Sequence, residues 1–338
     1  MKHSKLSGTP NQKQLAKYLG VSQMTISRVL NNRVGVGAGL KRKIQAKIQA
    51  LGYIHNRQAA GLRGRCSNVI GLVIPDVSNS FFPAITASIE RCASAHGYRV
   101  ILAHSHESYQ QEASKIALLR EFRVDGFIIA PAGTQNQIGT YLKLRADGLP
   151  FVFIDRLKQG LSCDYVVSDT KTGAFELGRY LISKGYRHWG YIRGPRGISS
   201  SQEHEQGLRR SIAKMGQARL TVTVVSGGFD ESDGYRGAAK FPAGARPDVI
   251  VAINDSVATG AYRYLQEQGI AVPSDVALAG FSNLAWTHLL EVPLTTVSEP
   301  TDEIGCRAFD LLLRRIAAPG ADYITTRLPV HLLIRAST

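Results

Sequence analysis

The first 65 residues contain no Asp and no Glu; the first carboxylate of this 338-residue chain is Asp76. Thirteen Lys or Arg fall in that stretch, so nearly all of the net charge of +15 lies on one fifth of the chain. The rest is close to balanced, with 28 basic against 26 acidic side chains. A short segment this cationic suits a polyanion, because Lys and Arg brought to phosphates release condensed counterions. Cysteine is also scarce. Cys66, Cys92, Cys163 and Cys306 lie far apart with no CxxC pair, which argues against a zinc site and offers no disulfide framework. Each is expected to be a small buried hydrophobe. No apolar run reaches the roughly 18 residues that span a bilayer, and the N-terminus lacks an apolar signal core. A cytoplasmic protein with no membrane partner is expected. GxxxxGK[ST], GxSxG and HExxH are all missing. "GVGAGL" at 35–40 imitates a dinucleotide loop but has Leu40 at the third glycine position, and no strand precedes it. The chain therefore reads as a non-enzyme with no catalytic residues, cofactor or metal.

What is present has a helical period at the start. Leu15, Ala16 and Leu19 mark one face, Gly20 allows a tight turn, and Ser22 is a good N-cap for the next helix. That helix should bury Ile26, Val29 and Leu30 and turn Gln23, Met24, Thr25, Ser27 and Arg28 outward. A third periodic run, Ile44, Ile48 and Leu51, ends at Gly52 and carries Lys41, Arg42, Lys43 and Lys47 on its other faces. Three short helices with one small core make a helix-turn-helix unit, whose second helix offers polar side chains to base edges.

From residue 68 the pattern changes. Short apolar runs ("NVIGLVIP", "YRVILAHS", "DGFIIAP", "PFVFIDR", "HWGYIRGP", "LTVTVVSGGF", "DVIVAIND", "DVALAGFS") alternate with amphipathic stretches. Continuous β-branched runs between helices imply buried parallel strands in βαβ units. Two parallel sheets fit the length better than one. In such sheets ligands bind beyond the C-terminal strand ends, where Asp76, Ser78, Asn79, His104, Ser105, Asp155, Arg156, Arg193, Asn254, Asp255, Ser282 and Asn283 fall. About half of these should serve as helix caps, Asp255 most plainly.

"LAKYLGVSQMTISRVLNN" at 15–32 resembles the DNA-binding motif of the lactose/galactose repressor family, roughly V-A-x-x-A-G-V-S-x-x-T-V-S-R-V-L-N. "ALGYIHNRQAAGLRGR" is similar to that family's following segment. The likeness continues through "GLVIPDVSNSFF", "VDGFIIAP", "FVFIDR", "NDSVATGA", "VPSDVALAGF" and "PLTTV", almost the whole chain. It implies an N-terminal all-α helix-turn-helix domain (1–53), a hinge (54–66) and an α/β two-lobed, periplasmic-binding-protein-like sensor (67–338). The lobes would be Rossmann-like parallel-sheet subdomains at about 68–166 and 167–294, with 295–338 shared.

The resemblance places base reading on Gln23, Met24 and Arg28: Arg28 suits guanine, Gln23 adenine, and Met24 a thymine methyl. Ser22, Thr25, Ser27, Asn31, Lys13 and Tyr18 would hold phosphates. In the hinge, Leu62 would wedge into the minor groove with Ala59 beside it and Arg63 and Arg65 near the backbone. Ala60 and Gly61 replace commoner Arg and Ser, and the third helix lacks the family's Ser cap and acidic first turn. Effector contacts carry over to Ser78, Phe81, Phe82, Asp155, Phe229 and Asn254. Two positions depart from the family: His204 stands for an arginine and Ser282 for an aspartate. Because Arg193 and Arg196 are gained nearby, the expected effector is an anionic sugar derivative. One module reads one half-site, so a homodimer on an inverted-repeat operator in double-stranded DNA is expected. The ending "HLLIRAST" has no leucine heptads, unlike the tetramer-forming extension of the lactose repressor. A ligand-responsive repressor of a carbohydrate or sugar-acid operon is the implied function. The alternatives are a DNA-binding regulator with a degenerate sensor and, less favoured, an α/β sugar enzyme with a DNA-binding appendage.

Overall fold

The computed structural model describes residues 12–30, 34–51, 66–215 and 220–338. The chain divides at Ser67/Asn68 into two compact units. In the first, α1 (Gln12–Leu19), α2 (Gln23–Leu30) and α3 (Ala38–Ala50) enclose Leu15, Ala16, Ile26, Val29 and Ile44, which are at most 4% exposed. Gly20 turns the chain between α1 and α2 at φ +67°, a conformation glycine adopts without steric penalty. The Ser22 hydroxyl accepts the Thr25 amide at 3.0 Å, fixing the start of α2. Gly37, before α3, supplies no side-chain cap.

The second unit holds two parallel sheets. Six strands, β1 (Val69–Ile74), β2 (Arg99–His104), β3 (Gly126–Ile129), β4 (Phe151–Ile154), β5 (Asp164–Ser168) and β11 (Thr325–Leu328), form the first in the order β11-β5-β4-β3-β1-β2. The second has the order β7-β6-β8-β9, from β6 (His188–Arg193), β7 (Thr221–Ser226), β8 (Val249–Ala252) and β9 (Ala277–Ala279). A short antiparallel pair, β10 (Thr296–Ser298) with β12 (His331–Leu333), runs alongside the second lobe. The central strands are apolar throughout because helices cover both faces. On the first sheet lie α4 (Phe81–Ala95), α5 (Tyr109–Glu121), α6 (Gly139–Ala146) and α11 (Thr301–Ala317). On the second lie α7 (Thr170–Ser183), α8 (Ser199–Met215), α9 (Glu231–Ala238) and α10 (Asp255–Glu267). The C-terminal stretch is divided: α11 and β11 complete the first lobe, while β12 and the last residues pack on the second.

One expectation is corrected here. Cys92 on α4 and Cys306 on α11 form a disulfide, their Cα atoms 5.6 Å apart across a sequence separation of 214. Neighbouring Gly305 permits the approach, since a Cβ there would meet the Ile85 carbonyl oxygen at 2.8 Å. Cys163 is buried, as expected, and burial pushes its thiol up to about 12. Cys66 is exposed. No helix among the described residues is long and apolar enough to cross a membrane.

Candidate ligand cleft and nucleic-acid interface

A cavity of about 470 Å³ opens where the C-terminal strand ends of the two sheets converge. The first lobe contributes Asp76, Ser78, Asn79, Phe81 and Phe82 after β1, His106 and Glu107 after β2, and Asp155 and Arg156 after β4. From the second come Pro195, Ser200 and His204 after β6, Gly228, Phe229, Asp230 and Asp233 after β7, and Asn254 after β8. Ser282 and Glu299 close the floor beside the crossover strands. The cavity therefore collects Ser78, Phe81, Phe82, Asp155, His204, Phe229, Asn254 and Ser282, all singled out from the sequence. It omits Arg193.

Arg156 organises the centre. Its guanidinium makes a two-pronged pair with Glu107 (2.6 and 2.8 Å) and a third bond from Nε to Asp155 at 3.2 Å. Its side chain is 4% exposed. The same group lies 4.8 Å from the Phe229 ring centroid and 5.8 Å from that of Phe82, so it is stacked between lobes as well as paired. Burial lowers the affinity of this group for its proton, but Glu107 and Asp155 outweigh it and hold the charge firmly. Phe81 and Phe82 meet edge to face at 5.3 Å. Asn254 caps α10, accepting the Val257 amide at 2.8 Å, and its Nδ2 donates to the Phe229 carbonyl at 3.0 Å. One side chain thus starts a helix and positions an aromatic wall.

Carboxyl groups crowd this space. Asp76, Glu107, Asp155, Asp230, Asp233 and Glu299 face it, against the single guanidinium of Arg156 among the described lining residues. Burial, reinforced by neighbouring Asp155, raises the Glu299 carboxyl to about 8, so it is mainly protonated at neutral pH. Burial likewise lifts Asp155 to about 6, with Arg156 opposing and Glu107 adding to the rise. Asp230 also sits above the ordinary range, from burial and from Asp233, Asp76 and Glu107. Burial disfavours ionised Asp76 too, yet hydrogen bonds from Ser78 hold it below that range. His204 is fully buried, and burial drives its imidazole down to about 3, leaving it neutral. It stacks on Tyr191 with Nδ1 3.1 Å from the phenol oxygen, while Nε2 has no partner among the described residues.

These carboxyl groups weigh against the anionic ligand expected from the sequence. Arg193 and Arg196 line a separate cavity, and Arg193 bonds the Ser226 hydroxyl at 3.2 Å instead of reaching the cleft. An anion in the main cleft would face six carboxyl groups and one guanidinium already engaged by two of them. Sequence reading missed the roles of Glu107, Asp230, Asp233 and Glu299; "GGFD" and the residues after "PLTTV" were the available signals. Asp255 is structural: its two oxygens accept the Thr296 hydroxyl at 2.7 Å and the Leu284 amide at 2.8 Å, tying the crossover to α10.

The N-terminal unit presents α2 as a polar ridge. Ser22, Gln23, Met24 and Arg28 are exposed, and Thr25 and Ser27 are half-buried. Met24 is 63% exposed. Tyr18 on α1 is 42% exposed, and Arg42, Lys43 and Lys47 are exposed along α3. The Ser22 and Thr25 hydroxyls lie 2.8 Å apart, positioned together at the helix start. Asn31 and the hinge residues Ala59, Leu62 and Arg63 lie outside the described residues.

Comparison with known proteins decides what this pairing of units is. Residues 67–336 match the family model of periplasmic binding proteins and the sugar-binding domain of the LacI family, and residues 13–56 match the model of bacterial regulatory proteins of the lacI family. The chain belongs to the LacI family of transcriptional regulators. Among LacI relatives, the ribose operon repressor of Halalkalibacterium halodurans is 29% identical over 327 residues, 96% of each chain. A LacI-family regulator of Enterococcus faecium solved with bound ribose is 28% identical with a TM-score of 0.71, covering 80% of this chain and 98% of that one. The Lac repressor dimer bound to operator and the anti-inducer ONPF shares the fold at a TM-score of 0.84 and 23% identity, covering 98% and 99%.

Proposed function

We propose that this LacI-family chain is a repressor that binds an inverted-repeat operator as a homodimer and responds to a neutral polyhydroxylated metabolite in the inter-lobe cleft. The observation that supports the ligand class is the ring of six carboxyl groups around a cavity whose guanidinium is committed to Glu107 and Asp155. Hydroxyls satisfy such groups by donating hydrogen bonds, without adding charge. Protonated Glu299 can itself donate, and neutral His204 offers Nε2. Phe81, Phe82 and Phe229 supply apolar walls for the C–H faces of a sugar ring. The relatives named above, a ribose operon repressor and a regulator with bound ribose, support the same class.

The mechanism follows from linkage. Ligand contacts both lobes, so it favours the closed arrangement by its differential affinity. A coupling of about 1–3 kcal/mol to the DNA-bound state suffices for a useful switch. Nothing in the cycle requires turnover.

Calorimetric titration of the full-length protein with neutral pentoses and hexoses and their matching aldonates tests this reading. A neutral sugar should bind, change operator affinity, and bind at least about tenfold more weakly to Phe229→Ala, which loses a buried aromatic contact. An aldonate that binds more tightly than its parent sugar in the same Phe229-dependent way would overturn the ligand class.

A further inference from the structure

The two arginines that leave the main cleft border a second cavity of about 220 Å³, made by the loop Arg193–Gly197 and the first turns of α8. We propose that this cavity binds a phosphate-type dianion, either inorganic phosphate or a small phosphate monoester, at a site distinct from the sugar cleft.

Four features converge on it. The segment "GPRGISSS" at 194–201 runs from the end of β6, flanked in its sheet by β7 and β8, straight into a 17-residue helix. That is the switch point of the second sheet, where the first amides of the helix lack intrahelical partners and the dipole favours negative charge. Gly197 takes φ +82° in the turn that leads into the helix. Arg196 is exposed at the rim, and the Arg193 side chain, 14% exposed, lines the interior.

Ser201 points independently to a ligand. It is 6% exposed, lines the cavity, and its Oγ has no hydrogen-bond partner among the described residues. The hydroxyl sits against bare Gly194, where a Cβ would come within 2.4 Å of it. A buried hydroxyl left unpaired is destabilising, and a phosphate oxygen in the cavity would accept a hydrogen bond from it. Glu205 also lines the cavity and opposes an anion, but its carboxylate is bonded by Arg209 at 2.7 and 2.9 Å and faces Arg193 at 3.9 Å. Two lining guanidiniums against one carboxylate that Arg209 already pairs leave the locality positive, the reverse of the main cleft. The same loop forms part of the lobe seam: Gln135 donates its amide to the Gly197 carbonyl at 3.0 Å, and its side chain bonds Gln202 at 2.8 Å.

Thermal denaturation of the full-length protein in potassium phosphate, against potassium chloride of equal ionic strength, tests the site. Saturable stabilisation by phosphate is expected, with an apparent dissociation constant raised by about tenfold or more in Arg196→Ala. A smaller rise is expected for Ser201→Ala, and none for Phe82→Ala, on the first-lobe wall of the sugar cleft. Glycerol phosphate binding more tightly than inorganic phosphate would identify a metabolite as the source, and the converse the free ion. Either pattern sustains the site. Equal effects of phosphate and chloride, an unchanged response in Arg196→Ala, or a response lost in Phe82→Ala would each overturn it. The sugar-binding proposal stands or falls separately, on the neutral-sugar titration.

Discussion

Glu299 shows how burial sets chemistry at a single residue. The unfolded chain releases this proton near the ordinary value of 4.5, whereas the folded chain holds it to about 8. Between those limits the native state binds the extra proton, so stability falls as pH rises through the window and levels off above it. Glu299→Gln cannot ionise. It should therefore gain stability relative to the wild type as pH goes from 6 to 9, measured as the difference in denaturation midpoint at each pH. A constant difference would show that Glu299 is already charged at neutral pH. Arg28 is the corresponding residue on the DNA side, exposed on α2 with its guanidinium near Gly35. Arg28→Ala should weaken operator binding by about 1–3 kcal/mol and relax preference at one base pair, checked by competition against single-base operator variants. Equal weakening on every duplex would place Arg28 on phosphate alone.

At the scale of elements, long-period patterns were legible and short or distant pairings were not. Eight apolar runs predict β1–β4 and β6–β9, and the 3.6-residue period predicts the three N-terminal helices, because each signal lies within one contiguous segment. β10 and β12 have three residues each, too few for a periodicity, and their pairing joins residues 296–298 to 331–333. β5 and β11 escaped because polar residues break their apolar runs: "DYVVS" carries Asp164 and Ser168, and "TTRL", at the sheet edge, is mostly polar and exposed. The site residues that cap or line strand ends, such as Ser78, Asn254 and Ser282, were readable from strand position. The destination of Arg193 was not: the β6 loop has two sides, and only three-dimensional packing decides which one a side chain takes. The Cys92–Cys306 bridge is the extreme case, since nothing local connects residues on α4 and α11. It constrains a long loop of the unfolded chain, so Cys306→Ser should lower stability by about 2–4 kcal/mol. Dithiothreitol should lower the denaturation midpoint of the wild type and leave that of the variant unchanged; a wild type indifferent to reductant would mean the bridge does not contribute.

For the whole molecule, the division of charge carries the function. A unit with basic side chains along α3 and a polar ridge on α2 meets the duplex, while the larger unit surrounds a cavity of opposite character with carboxyl groups. Each suits a different ligand, and where occupancy of one alters affinity for the other, linkage makes the effect the same factor in both directions. The most direct measurement selects duplexes from a random pool with the full-length protein at about 0.15 M salt, where long-range screening is physiological. It then follows binding of the selected duplex by fluorescence anisotropy with and without the neutral sugar found by titration. The selected sequences should be inverted repeats, bound far more tightly than random duplex, with affinity shifted about fivefold or more by the sugar. Equal grip on random and selected DNA, or an operator affinity untouched by a sugar that fills the cleft, would contradict the account.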